Sequence, residues 1–260
     1  MELITSGADK LQTYEQLLLE RDRLVKEAGQ IWTLYLRLFG ARINAVFEEK
    51  IECIKRKKTI AYCQTILNHG GTVDGAALNQ YLDQEMAEYY RQLKQMMADA
   101  ETSRKARTVS AYEAERFRTL YRCLAKLLHP DMHPATDQEE TLRDLWQRIM
   151  EAYHHNDIKE LSELEILTRK ALQALGEDAV RVEVPDIDDR IRELEDEIAG
   201  IKSTEPYTYK ALVEDDAAIR RKQTELDEEL ANYRRYRGEL DAVIDRMLEG
   251  GGIILQWQMN

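Results

Sequence analysis

The fold of this chain is organised around the stretch from Arg116 to Tyr153, RFRTLYRCLAKLLHPDMHPATDQEETLRDLWQRIMEAY. In its first half, apolar residues recur at the i, i+3, i+4, i+7 spacing of one helix face, which predicts an amphipathic helix. These residues are Phe117, Leu120, Tyr121, Leu124, Leu127 and Leu128. A second apolar face predicts a second helix, with Leu142, Leu145, Trp146, Ile149, Ala152 and Tyr153. We expect the two faces to pack against each other as an antiparallel pair.

A loop with two prolines separates the two predicted helices. Pro130 and Pro134 each disfavour helical geometry at the residue before them. Thr136 and Glu139 have the spacing of a capping box, and we expect them to start the second helix. The tripeptide His129-Pro130-Asp131 is therefore predicted at the exposed tip of the pair.

The first helix also carries a basic stripe, because Arg118, Arg122 and Lys126 follow one another at i+4 spacing. The second helix ends in Trp146-Gln-Arg-Ile149-Met-Glu-Ala152-Tyr153. A basic helix, a His-Pro-Asp loop and a helix of the form aromatic-x-x-Ile-x-x-Ala-Tyr, in this order, resemble the J-domain of DnaJ-like cochaperones. The resemblance covers about residues 111–155 and is to a divergent member, because the Tyr-x-x-Leu-Gly-Val motif of the usual first helix is absent.

The resemblance to J-domains implies a function without chemistry of its own. J-domains dock on the ATPase domain of a DnaK-type heat-shock chaperone and stimulate its ATP hydrolysis, so the chain itself is expected not to be an enzyme. The implied partner-binding residues are His129, Pro130, Asp131, Arg118, Arg122 and Lys126. The implied J-like core is Leu120, Leu124, Trp146, Ile149 and Tyr153. A protein of another class remains open: a coiled-coil adaptor or scaffold whose degenerate J-like module does not stimulate an ATPase.

Composition and charge favour an all-α, elongated protein in which long antiparallel, coiled-coil-like helical hairpins flank the J-like hairpin. Charged residues make up 33 % of the 260 residues and aromatic residues only 7 %, which is typical of extended helices. The net charge of −12 opposes binding to nucleic acid and to acidic membranes. Three cysteines without metal-site or disulfide spacing indicate free thiols, and with no apolar segment or signal peptide we expect a cytoplasmic protein.

No metal or cofactor is predicted. His129 and His133 are four residues apart, a spacing that lets two histidines bind one ion only on a helix. Pro130 and Pro134 prevent a helix there. A run of basic residues at 55–58 is a candidate for contact with nucleic acid. Because it follows three glutamates on a predicted helix, we interpret it as a solvated face.

The periodicity divides the chain into five parts. Residues 1–107 are predicted as an N-terminal long helical hairpin that turns at Gly70 and Gly71, and 108–176 as the J-like module. Residues 177–185 are predicted as a linker, 186–249 as a C-terminal antiparallel coiled-coil hairpin, and 250–260 as a tail. The flanking helices would bind a client or an assembly partner, or hold a homodimer.

A two-helix J-like hairpin leaves an apolar face that something must cover. The nearest candidates are residues 86–107, or the middle of the first helix. If so, residues 108–176 alone should fold poorly. Gly40 lies within the first long helix, where we expect a bend or a tight helix contact and not a break.

Overall fold

The computed structural model of this protein is all-α over the residues that it describes, which are 2–106, 110–176 and 184–249. Side chains are described in these ranges except at 2–8, 111 and 249. The helices are α1 (Glu2–Asn68), α2 (Gly75–Lys105), α3 (Ala111–Leu128), α4 (Ala135–Gln138), α5 (Glu140–His155), α6 (Ile158–Leu175), α7 (Ile187–Ser203), α8 (Lys210–Glu214) and α9 (Asp216–Glu249). The predicted all-α class is confirmed. In the described ranges, no helix combines the length and the apolar character needed to cross a membrane.

The described residues form two compact units. Unit 1 contains those within Met1–Gln30 and Arg107–Thr208, and unit 2 contains those within Ile31–Ala106 and Tyr209–Asn260. Helix α1 contributes to both, with the division after Gln30. The five-part division of the chain stays a prediction. Most of its linker, residues 177–183, and its tail, residues 250–260, lie outside the described residues.

The core of unit 1 is formed by α3, α5 and α6. Its buried residues are Phe117, Tyr121, Leu124, Ala125, Leu128, Leu142, Leu145, Ile149, Ala152, Tyr153, Leu161, Leu164 and Leu172. Helix α6 supplies the last three and so covers the apolar faces of α3 and α5. It follows directly after Asn156, which ends α5 in a left-handed conformation, and Asp157 caps it by accepting a hydrogen bond from the Glu160 amide.

This role of α6 corrects the prediction about what covers the J-like hairpin. The cover was expected from residues 86–107 or from the middle of the first helix, and α6 supplies it instead. The reason is that α6 has an amphipathic face of its own and reaches the pair through the shortest connection. The expectation that residues 108–176 fold poorly alone stays a prediction, because Leu19 and Lys26 of α1 also pack against this core.

Helix α7 lies beside the first part of α1 in unit 1 and runs in the same direction. Lys10 pairs with Asp188 at 2.6 Å, and Arg21 lies 3.7 Å from Glu197, one partner in each pair coming from α7. A second buried cluster joins residues of α1, α7 and the loop after α3, namely Tyr14, Leu18, Met132 and Leu194. Helix α7 thus packs on α1 through the apolar face that its sequence pattern indicates.

In unit 2, two long helices pack on the second part of α1. Helix α2 runs antiparallel to it after a turn at Gly70, whose φ is +72°, and α9 runs parallel to it. Contacts that fix these directions are Lys58–Glu85, Tyr62–Tyr81, Arg42–Asp227 and Arg56–Asp241. Helix α7 belongs to unit 1 and α9 to unit 2, and each contacts α1, a helix of 67 residues, within its own unit. The C-terminal hairpin predicted for residues 186–249 stays a prediction.

The close approach of α1 and α2 at Gly40 gives a first testable prediction. The helix continues unbroken through Gly40, and a Cβ placed there would lie 3.0 Å from the Ala100 Cβ. We expect Gly40→Val to lower the free energy of unfolding by about 1–3 kcal/mol, because it overpacks this contact. Gly29, in the same helix, has open space, so Gly29→Ala should raise it by about 0.5–1 kcal/mol. Urea denaturation followed by circular dichroism measures both; equal effects would contradict the tight contact.

Candidate docking site

The candidate docking site lies in unit 1, where α3 ends at the loop His129-Pro130-Asp131. Ser110 and Glu113 cap the start of α3 with both hydrogen bonds of a capping box. At its other end the His129 amide donates to the Ala125 carbonyl at 2.9 Å, and Pro130 stops the helix. Of the residues predicted for the J-like core, Leu124, Ile149 and Tyr153 are buried in the core of unit 1, and Leu120 and Trp146 pack at its edge.

The start of the second helix of the pair differs from the prediction. Thr136 and Glu139 form no capping box, because Thr136 is buried inside the short helix α4 and α5 begins only at Glu140. Pro134 has helical angles and takes the cap position of α4, which begins two residues earlier than expected. Proline is well tolerated at such a first turn because its missing amide would be unpaired there in any case.

His129 is a buried residue, not an exposed one. The residue is 4 % exposed and its ring meets the Trp146 ring edge-on, with 5.0 Å between centroids. Nδ1 accepts a hydrogen bond from the Asp131 amide at 3.2 Å, which gives the neutral ring its proton on Nε2. Nε2 lies 3.6 Å from a carboxylate oxygen of Asp22 in α1. His129 therefore holds the loop together and faces α1.

Asp131 is at the surface of the loop and is partly covered. Its side chain is 38 % exposed, and one carboxylate oxygen lies 3.9 Å from the Arg21 guanidinium of α1. The same guanidinium contacts Asp22 at 2.8 Å and Glu197 of α7 at 3.7 Å. The loop carboxylate is thus already within ion-pair distance of an arginine of its own chain.

Asp22 is the centre of a buried polar network under the loop. Its carboxylate accepts hydrogen bonds from the Tyr121 hydroxyl at 2.5 Å and from Arg21. Burial alone would raise the pKa of Asp22, but His129, Arg21 and Tyr121 together outweigh it and hold that pKa below its usual value. The pKa of Tyr121 is raised by burial and by the negative charge of Asp22. Asp22 therefore stays ionised at neutral pH.

The basic stripe of α3 lines an open cleft of about 570 Å³ beside α1. Arg118, Arg122 and Lys126 are all exposed; Arg118 pairs with Glu115 on its own helix and Lys126 pairs with Glu15 of α1 at 2.7 Å. Next to the cleft, Lys26 Nζ lies 3.8 Å from the centre of the Tyr153 ring. Burial, with the charge of Arg118, lowers the pKa of Lys26 to about 8. Glu15 and Glu20 also line the cleft beside four basic side chains, so its charge is positive on balance.

The site thus brings together the basic stripe and the loop, on one helix and its end, and adds residues of α1 that the sequence did not indicate. Arg21 and Asp22 precede the loop by about a hundred residues and carry no motif. The only feature of the sequence that could have pointed to them is an Arg-Asp pair on a helix with an apolar face. Comparison of the chain with protein-family models, with curated proteins and with solved structures finds no match.

Proposed function

We propose that this chain is a J-domain-type cochaperone. Its loop His129–Asp131 and the basic stripe of α3 dock on the ATPase domain of a DnaK-type heat-shock chaperone and raise its rate of ATP hydrolysis. The water molecule, the phosphate and the catalytic groups all belong to the chaperone, and this chain contributes only binding and orientation. The long helices of the protein serve client binding or assembly.

One observation carries the proposal. The Asp131 carboxylate is presented at the end of the exposed basic helix and lies within ion-pair distance of a guanidinium, that of Arg21. A carboxylate fixed on a short loop can form the same directional, charge-assisted pair with an arginine of another protein. Arg118, Arg122 and Lys126 point from the same helix into an open cleft, where they would attract and orient an acidic surface.

The burial of His129 supports a second candidate function. A loop whose histidine is 4 % exposed and whose aspartate is half-covered suits a coiled-coil adaptor or scaffold with a J-like module that no longer stimulates an ATPase. In that case the loop would serve only to pack the end of α3 against α1. The two functions differ in one measurable property, the rate of ATP hydrolysis by a DnaK-type chaperone.

We expect the full chain to raise the steady-state rate of ATP hydrolysis by a DnaK-type chaperone from the same organism, and Asp131→Asn to reduce this stimulation about tenfold or more. The change keeps the shape of the side chain but removes a charge-assisted bond of about 1.5–3 kcal/mol. Asp137→Asn, at an exposed position of α4, is the matched control and should leave stimulation unchanged. No stimulation by the wild type, or equal stimulation by both variants, would leave the adaptor as the better account.

A further inference from the structure

The surface that the proposed chaperone would need is partly occupied by α1 of the same chain. Met132, the residue after Asp131, is buried with Tyr14 and Leu18 of α1 and Leu194 of α7. These four side chains come from three separate parts of the sequence and close over one side of the loop. Here we call residues 14–22 of α1 the cover segment.

The charges of the cover segment match those of the docking surface. Arg21 faces the Asp131 carboxylate at 3.9 Å, and Glu15 pairs with Lys126, the last residue of the basic stripe, at 2.7 Å. Arg21 of the cover segment thus lies beside the aspartate of the loop, and Glu15 lies beside the basic helix. The cover segment therefore presents the same two charge types, at the same two places, that a docking partner would have to present.

The cover segment is separable from the core of the J-like pair. The buried residues of that core all come from α3, α5 and α6; among the described side chains of α1, Leu19 packs at its edge and Lys26 lies over the Phe117 and Tyr153 rings. The contacts of the cover segment with the loop are a small apolar cluster and ion pairs that are partly exposed to water. Moving it would break these contacts and the polar network of Asp22, while the three-helix core keeps its own packing.

We propose that the cover segment competes with the chaperone for the docking surface. In the closed form Arg21 pairs with Asp131 and α1 packs over the loop. In the open form the cover segment has moved away and the loop can bind the chaperone. The proposal rests on the proposed function, because it describes how that same site is regulated. The chaperone binds only the open form, so its apparent affinity is reduced by the open fraction. If that fraction is about a tenth, full release of the cover segment strengthens apparent binding about tenfold.

The test compares stimulation of ATP hydrolysis by the wild-type full chain and by the double variant Leu18→Ala, Arg21→Ala. This double variant removes one apolar contact of the loop cluster and the guanidinium at Asp131. We expect it to reach half-maximal stimulation at a several-fold lower concentration than the wild type, and adding Asp131→Asn to abolish the gain. Val25→Ala, an apolar truncation at an exposed position of the same helix, is the matched control and should behave as the wild type. Arg21→Ala alone, which keeps the apolar cluster, serves if the double variant does not fold.

A second measurement reports opening without the chaperone. The thiol of Met132→Cys should react faster with a thiol reagent when this variant also carries Arg21→Ala, whereas the thiol of Leu164→Cys, in the core, should not. If the wild type and the Arg21 variants stimulate equally and labelling at position 132 is unchanged, the proposed competition by the cover segment is overturned. The proposed function would remain. Absence of stimulation by every variant overturns the proposed function and, with it, this regulation. Faster labelling at both positions would mean general unfolding and also count against the cover segment.

Discussion

Replacing Ile149 by alanine is expected to lower the free energy of unfolding of unit 1 by about 2–5 kcal/mol. Ile149 is fully buried at the centre of the core that α3, α5 and α6 share. Truncation loses the transfer free energy of the removed methyl and methylene groups and leaves a cavity, because well-packed neighbours relax only in part. Since a domain has a total stability of about 5–15 kcal/mol, this single change removes a large share of it.

The control for Ile149→Ala is another isoleucine-to-alanine change in the same unit. Ile166 lies in α6 and is 70 % exposed, so Ile166→Ala should change the free energy of unfolding by no more than about 0.5 kcal/mol. Urea denaturation followed by the fluorescence of Trp146, with the other two tryptophans replaced by phenylalanine, measures both. Similar costs for the two variants would mean that α6 does not close the core as described.

The local features of unit 1 could be predicted from the sequence because their causes are local. The 3.6-residue period of Leu120, Leu124 and their neighbours defines a helix face whatever it packs against. The capping box of Ser110 and Glu113 joins residues only three apart, although the same spacing at Thr136 and Glu139 forms none. The end of α3 at His129 follows from Pro130. Each of these features is present in the structure as the sequence indicates.

The partners of the helices could not be predicted in this way, because an apolar face does not say what covers it. The heptad patterns of α7 and α9 fit a hairpin and fit packing on α1 equally well, and in the structure each of the two helices contacts α1 within its own unit. The position of Arg21 at the loop is likewise a result of tertiary packing across about a hundred residues. His129 was expected to be exposed because it lies in a loop. This expectation is wrong, and the cause is again tertiary packing, since Asp22 and Trp146 enclose the ring.

Replacing Asp22 by alanine is expected to lower the free energy of unfolding of unit 1 by about 3–5 kcal/mol, the usual cost of removing one partner from a buried charge network. The change leaves the Tyr121 hydroxyl, the Arg21 guanidinium and His129 Nε2 without their shared carboxylate. Asp188 offers the matched control, because it pairs with Lys10 at the surface, where the two side chains are 62 % and 42 % exposed. Asp188→Ala should cost no more than about 1 kcal/mol.

The contribution of Asp22 should also depend on pH in one direction. Its pKa is lowered in the folded protein relative to the unfolded chain, so the unfolded state binds the proton more readily. The stabilisation is therefore complete above the unfolded pKa of about 3.9 and is lost as the pH falls through the lower, folded pKa. Asp22→Asn, which cannot ionise, should consequently differ most from the wild type at pH 7, and the difference should shrink below about pH 4. Urea denaturation of both proteins at pH 7, 5, 4 and 3 measures this difference in the free energy of unfolding. A difference that stays constant or grows in acid would contradict a lowered pKa at Asp22. It would then also contradict an ionised Asp22 carboxylate at the centre of the contacts between α1 and the loop.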